Sequence, residues 1–144
     1  MNWLLLFLVL LAGAATSIQA GVNGILGKKV GIVEAALVSF TVGTVFILII
    51  YLFTRKGNPL DALALPKWQL SGGLLGACYI MIMVVAVPRV GIAAALITLI
   101  AGQLACSTVI DHFGLLGARH IPIDYKRVLG LLCMGIAIFL FYKK

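Results

Sequence analysis

Polar side chains with binding chemistry occur inside strongly apolar stretches of this 144-residue chain. Thr16, Gln19 and Asn23 fall at positions i, i+3 and i+7 of one stretch, which places them on one helix face. Tyr79 and Gln103 lie near the middle of two other stretches. Amides and a tyrosine ring suit a neutral polar or heteroaromatic solute such as a nucleobase, and hydrogen bonding between helices is the alternative role. The candidate substrate-binding residues are Gln19, Asn23, Tyr79, Gln103, Ser39 and Thr41.

Three ionisable side chains near helix ends are candidates for gating or proton relay: Glu34, Asp111 and His112. Glu34 lies about one turn inside its helix, where the positive end of the helix dipole alone can explain a carboxylate. The dipole disfavours Asp111 at the C-terminal end of its helix, and an ion pair with a lysine or arginine is the alternative to gating. Adjacent side chains diverge by about 100°, so Asp111 and His112 are not a ready-made pair.

The helices that position these side chains are predicted to cross a membrane. The chain is 63% hydrophobic and 10% charged, with a mean hydropathy of +1.20, which excludes a soluble enzyme, a nucleic-acid-binding domain and a disordered tail. Its apolar runs have the length of about 20 residues that spans a bilayer, and the first is expected to be retained rather than cleaved as a signal. We predict an all-α membrane protein with one domain over residues 1–144 and helices at about 3–22, 30–53, 68–87, 92–110 and 125–142.

The connections between these helices are predicted to be short. Residues 23–29 hold two glycines and join the first helix to the second, and residues 88–91 form a tight hairpin that begins at Pro88. No internal repeat is convincing in the sequence. No charged residue lies at the centre of a predicted helix, which argues against a central carboxylate that exchanges cations and favours a neutral or net-neutral solute.

Enzymatic, metal-binding and cofactor-binding roles receive no support from the sequence. The three cysteines are odd in number and lack zinc-ligand spacing, so packing explains them, and no metal site or cofactor is predicted. No HExxH, GxSxG or paired-carboxylate motif occurs, which argues against an enzyme. Nucleic acid is not an expected partner, because the basic residues stand in pairs at the ends of apolar runs, where they meet lipid headgroups.

The basic residues are almost evenly divided between the two sides of the membrane. With the N-terminal side called A, side A holds Arg55, Lys56, Lys67, Arg119, Lys126 and Arg127, and side B holds Lys28, Lys29, Arg89, Lys143 and Lys144. The orientation of a membrane protein follows the imbalance of lysine and arginine between its short loops, so this near-even division does not select one orientation. Dual topology with an antiparallel homodimer is one interpretation, and a weak bias completed by another signal is the other.

Four segments carry a resemblance to a known family: Gly13 with residues 19–27, residues 35–43, Trp68 with residues 72–77, and residues 102–104 with 110–114. The last reads GQL…IDHFG and is the most specific. Together they resemble the YdcZ-like family, a five-helix branch of the drug/metabolite transporter superfamily. The resemblance implies a multi-pass protein of the bacterial inner membrane, with half of an inverted-repeat transporter fold. It also favours Gln19, Asn23, Gln103, Asp111 and His112 as functional positions.

These observations predict a secondary transporter that works by alternating access as an antiparallel homodimer. Its expected partners are a second copy of the chain, a small-molecule substrate and the lipid bilayer. A small dual-topology ion channel is one alternative, and a non-transporting membrane subunit is another.

Overall fold

The structure is a computed structural model that describes residues 2–142. The basic pair Lys143 and Lys144, assigned above to side B, lies outside the described residues. Within them the structure has helices and no strands, and five helices are long and apolar enough to cross a membrane. They are α1 (Trp3–Val30), α2 (Ile32–Thr54), α3 (Ser71–Val90), α4 (Ile92–Phe113) and α5 (Tyr125–Tyr142). Short 3₁₀ turns occupy Pro59–Ala64, Lys67–Leu70 and Leu115–Gly117.

The first helix is longer than predicted, because the glycines at its end pack rather than turn. The helix continues to Val30 through the segment 23–29 that we predicted as a connection. A Cβ added at Gly24 would lie 3.2 Å from Val87 Cγ1, and one added at Gly27 would collide with Val84. The absent side chains therefore let α1 and α3 approach closely, which offsets the low helix propensity of glycine.

The tight connection predicted at residues 88–91 begins later than expected, since α3 runs through Pro88 to Val90 and only Gly91 separates it from α4. A proline removes one backbone donor, and in the last turn of a helix this disturbs few further hydrogen bonds. The fourth helix similarly extends past residue 110 to Phe113, so Asp111 and His112 belong to its last turn. Gly114 then ends α4 in the left-handed conformation, with φ of 61°.

Single glycines make the turns from α1 to α2 and from α3 to α4. Gly31 has φ 107° and ψ 162°, and Gly91 has φ 88° and ψ 158°. This region of backbone conformation is accessible to glycine almost alone. Both glycines stand in the sequence Val-Gly-Ile, and their carbonyls accept from the amides of Ala35 and Ala95, each at 3.1 Å. The sequence alone suggested no repeat, but the structure shows a local one at these turns.

The described residues form two compact units, one ending at Arg89 and the other beginning at Val90. In the first unit the core consists of Ala35, Ala36, Ile80 and Val84, with Leu26, Tyr79 and Met81 packed against it. In the second unit α4 packs against α5. The prediction of one domain over residues 1–144 stays a prediction.

Candidate functional site

The candidate site in the first unit centres on a contact between Asn23 of α1 and Ser39 of α2. Asn23 is 4% exposed, and the Ser39 hydroxyl donates a hydrogen bond of 2.6 Å to its Oδ1. Both residues were predicted from the sequence as substrate-binding residues, and the structure brings them together. A buried amide in an apolar environment is costly without such a partner, so the bond accounts for a polar residue at this depth.

Beside Asn23, α1 packs closely against α3. Gly24, the next residue, is buried against Val87 and Pro88 of α3. Tyr79 lies nearer the middle of α3, half-buried against the alanine-rich core of the unit. No hydrogen bond of the Tyr79 hydroxyl is found among residues 2–142. The hydroxyl is thus a free donor and acceptor on the same three-helix unit as Asn23.

Two further candidates of the first unit are exposed, and the structure does not join them to the contact of Asn23 and Ser39. Gln19 is exposed on α1 and Thr41 is exposed on α2. Thr16, the third member of the α1 stripe, is occupied within its own helix, since its hydroxyl donates to the carbonyl of Ala12 at 2.8 Å. Of that stripe, only Asn23 is buried.

Gln103 belongs to the second unit, where it is exposed on α4. Its amide has no hydrogen-bond partner in the described part of the chain. A primary amide near the middle of a membrane helix needs a partner other than lipid. Gln103 and Gln19 are thus the two amides of the predicted set that remain open to an external partner.

Asp111 forms an ion pair with Arg127 of α5, with 3.1 Å between Oδ2 and Nη1. The two side chains are 31% and 29% exposed, respectively. This contact is the ion pair that the sequence left open as an alternative to gating. The sequence did not identify the partner of Asp111, because Lys126 and Arg127 are two basic residues side by side at the start of α5. In the structure the partner is Arg127.

His112 and Glu34 have separate local environments. His112 Nδ1 accepts a hydrogen bond of 3.1 Å from the backbone amide of Ile123, which fixes the segment between α4 and α5. Its ring also stands edge-on to Phe113, with 4.8 Å between the ring centroids. Glu34 lies in the first turn of α2 and folds back over Gly31, consistent with the helix-dipole role. A gating or relay role for Asp111, His112 and Glu34 stays a prediction.

The structure has a groove between α4 and α5 that the sequence did not predict. It has a volume of about 460 Å³, and its lining includes Leu104, Ser107, Asp111, Arg127, Gly130 and Met134. Ser107 and Asp111 lie one turn apart on α4, and this spacing in the sequence indicates that they share the helix face that forms one wall of the groove. The opposite wall could not be inferred, because the facing register of α5 depends on the 3₁₀ turn after α4.

Five apolar helices and buried polar contacts within them define a multi-pass helical membrane protein. A family model described as "Putative inner membrane exporter, YdcZ" matches residues 4–140. The chain therefore belongs to the YdcZ family, and the resemblance drawn from its sequence motifs is confirmed. No curated protein and no solved structure matches the chain. Membership makes the chain a multi-pass inner-membrane protein of a family described as putative exporters.

Proposed function

We propose that this protein is a secondary transporter that moves a small neutral or net-neutral polar solute by alternating access. The observation that carries the proposal is the pair of open amides, Gln19 and Gln103, on apolar helices. Such amides need hydrogen-bond partners that lipid cannot supply. A polar solute can supply a partner to either amide during transport, and a planar heteroaromatic solute such as a nucleobase can also stack on Tyr79, which lies in the same unit as Gln19.

The working unit in this proposal is an antiparallel homodimer. Support comes from the near-equal division of basic residues between the two membrane faces, which lets the chain insert in both orientations. A two-fold axis in the membrane plane relates inverted copies, so the inward-open and outward-open states become symmetry mates. In the absence of solute, the second copy would shield the open amides from lipid.

The central experiment is counterflow in proteoliposomes. A stabilisation screen of purified protein against metabolites first identifies a solute, and loaded vesicles then measure its exchange. We expect saturable exchange that falls about fivefold to tenfold in Gln103→Ala, since a hydrogen bond to a polar solute contributes about 1–1.4 kcal/mol. Tyr79→Phe should weaken exchange less, and Gln69→Ala, an exposed amide outside the five α-helices, serves as the matched control.

Two outcomes would contradict the proposal. Ion flux that does not saturate and shows no counterflow would identify a channel instead. Stoichiometric purification with another membrane protein, without transport by the chain alone, would identify a non-transporting subunit. Reporters on both termini test the dimer separately, and a single strongly preferred orientation would remove it while leaving the transport proposal intact.

A further inference from the structure

The groove between α4 and α5 has a charged end and an apolar end. Asp111 lies in the last turn of α4, and Arg127 lies in the first turn of α5. Leu104 and Met134 lie two turns deeper, seven residues from each charged group, so the groove extends about 10 Å along the helices. Both helices are apolar spans, which puts the charged end at the membrane interface and the apolar end in hydrocarbon.

The ion pair at the mouth of this groove leaves binding capacity on both partners. Only Oδ2 of Asp111 and Nη1 of Arg127 contact each other, and the two side chains remain about one-third exposed. A guanidinium has five N–H donors and a carboxylate has two acceptor oxygens. Within residues 2–142, Arg127 makes no second ion pair and Asp111 Oδ1 has no partner. A ligand with both a cation and an anion can therefore add to the pair without breaking it.

From this geometry we propose that the groove binds a phospholipid whose headgroup carries a primary ammonium and a phosphate, as in phosphatidylethanolamine. The ammonium binds the Asp111 carboxylate and the phosphate binds the Arg127 guanidinium. The first part of an acyl chain lies over Leu104 and Met134. An anionic headgroup without an ammonium leaves Asp111 Oδ1 without a donor, and a quaternary ammonium lacks the N–H donors that a carboxylate accepts.

A glycine on the α5 wall of the groove allows a variant that tests whether lipid binds there. Gly130 lines the groove, and a Cβ added there would have no heavy atom within 4 Å, so a larger side chain fits without strain. Gly135 lies on the same helix with the same open surroundings but does not line the groove. Gly130→Leu thus fills the groove, and Gly135→Leu is its matched control, with an equal gain in helix propensity.

Native mass spectrometry of the purified full-length protein measures the binding of defined lipids. We expect phosphatidylethanolamine to bind about tenfold more tightly than phosphatidylcholine or phosphatidylglycerol, the effect of one net charged hydrogen bond of about 1.4 kcal/mol. Gly130→Leu should abolish that preference and Gly135→Leu should retain it. Asp111→Asn should shift the preference toward phosphatidylglycerol, with helical content from circular dichroism confirming the fold.

Three results would overturn the proposal. One is equal binding of the three lipids by the unaltered protein, and another is an equal loss in Gly130→Leu and Gly135→Leu. The third is competition by water-soluble glycerophosphoethanolamine at the same concentration as the full lipid, which would show that the groove binds a soluble zwitterion and needs no acyl chain.

Discussion

Among residues 2–142, two contacts between polar side chains join neighbouring helices, and they differ in charge and in burial. The contact of Asn23 with Ser39 is neutral, and its amide is 4% exposed. The contact of Asp111 with Arg127 is ionic, and its side chains are about one-third exposed at the ends of their helices. The first lies in the unit that ends at Arg89 and the second in the unit that begins at Val90.

The difference teaches how the chain distributes polar groups with depth. A neutral amide and hydroxyl lose less solvation than charged groups do, so one hydrogen bond between them can offset their burial in an apolar core. An ion pair loses far more, and its attraction compensates only where headgroups and water remain within reach. The neutral contact is thus expected to respond to packing, and the ionic contact is expected to respond to salt.

The largest expected effect comes from Gly27→Val. Its Cβ would collide with a methyl group of Val84, and relief of that collision requires a different Val84 rotamer or a separation of α1 from α3. We expect a loss of about 3 kcal/mol in the free energy of unfolding, at the upper end for overpacked cores. Unfolding of purified protein in mixed micelles with rising denaturing detergent measures it. Gly13→Val, on the same helix with open space around it, is the control, and equal losses in the two variants would refute the packing role.

The next effect should come from Gly31→Ala, which tests whether the turn holds the neutral contact together. With φ at 107°, an alanine at this position is strained by about 2 kcal/mol. Gly91→Ala tests the same backbone strain without a close side chain, whereas an added Cβ at Gly31 also meets Glu34. We expect a larger loss of unfolding free energy at Gly31 than at Gly91, and equal losses would show that Glu34 moves away freely.

A double-mutant cycle on Asn23→Ala and Ser39→Ala isolates the neutral contact. Interhelical hydrogen bonds in membrane proteins couple by about 0.6 kcal/mol on average, and burial of this one places it near about 1 kcal/mol. The coupling should not change between low and high salt. Gln19→Ala combined with Ser39→Ala is the control pair, since Gln19 is exposed and does not bond to Ser39. A coupling near zero for Asn23 and Ser39 would contradict the contact.

The smallest effect is expected for the corresponding cycle on Asp111→Asn and Arg127→Gln. A partly exposed ion pair couples by about 0.5 kcal/mol, and the coupling should shrink as salt screens the charges. The exchanged pair Asp111→Arg with Arg127→Asp should recover part of the coupling. A salt-independent coupling between Asp111 and Arg127, together with a salt-dependent coupling between Asn23 and Ser39, would contradict the assignment of electrostatics to the ionic contact and packing to the neutral contact.

The sequence predicted the five spans because each apolar run is long and continuous, and the last helix begins and ends where expected. The sequence-based prediction misplaced the turns because a glycine can either allow close packing inside a helix or end the helix in a turn. Gly27 allows close packing inside a helix, whereas Gly31, four residues later, makes the turn. Composition alone does not separate these uses, since the difference depends on whether Val84 of a distant helix lies against the glycine.

For the candidate residues too, the sequence predicts which helix face they occupy, whereas contacts with other helices determine their burial and partners. Helical periodicity placed Gln19 and Asn23 on one face, but only the neighbouring helices decide that Asn23 is buried and Gln19 exposed. The unfavourable helix dipole at Asp111 left two roles open, an ion pair and gating. The identity of Arg127 as its partner depends on the path of the segment between α4 and α5.

The lengths of α1 and α5 have a consequence for the membrane around this protein. The uncharged stretch of α1, residues 3–27, is about 38 Å long and that of α5, residues 128–142, is about 23 Å long, against a hydrocarbon layer of about 30 Å. Such hydrophobic mismatch costs a fraction of a kcal/mol per ångström, which a long helix relieves by tilting and a short one by thinning the lipid nearby. A thinner bilayer would therefore act first on the tilt of α1, and a thicker one would act first on α5.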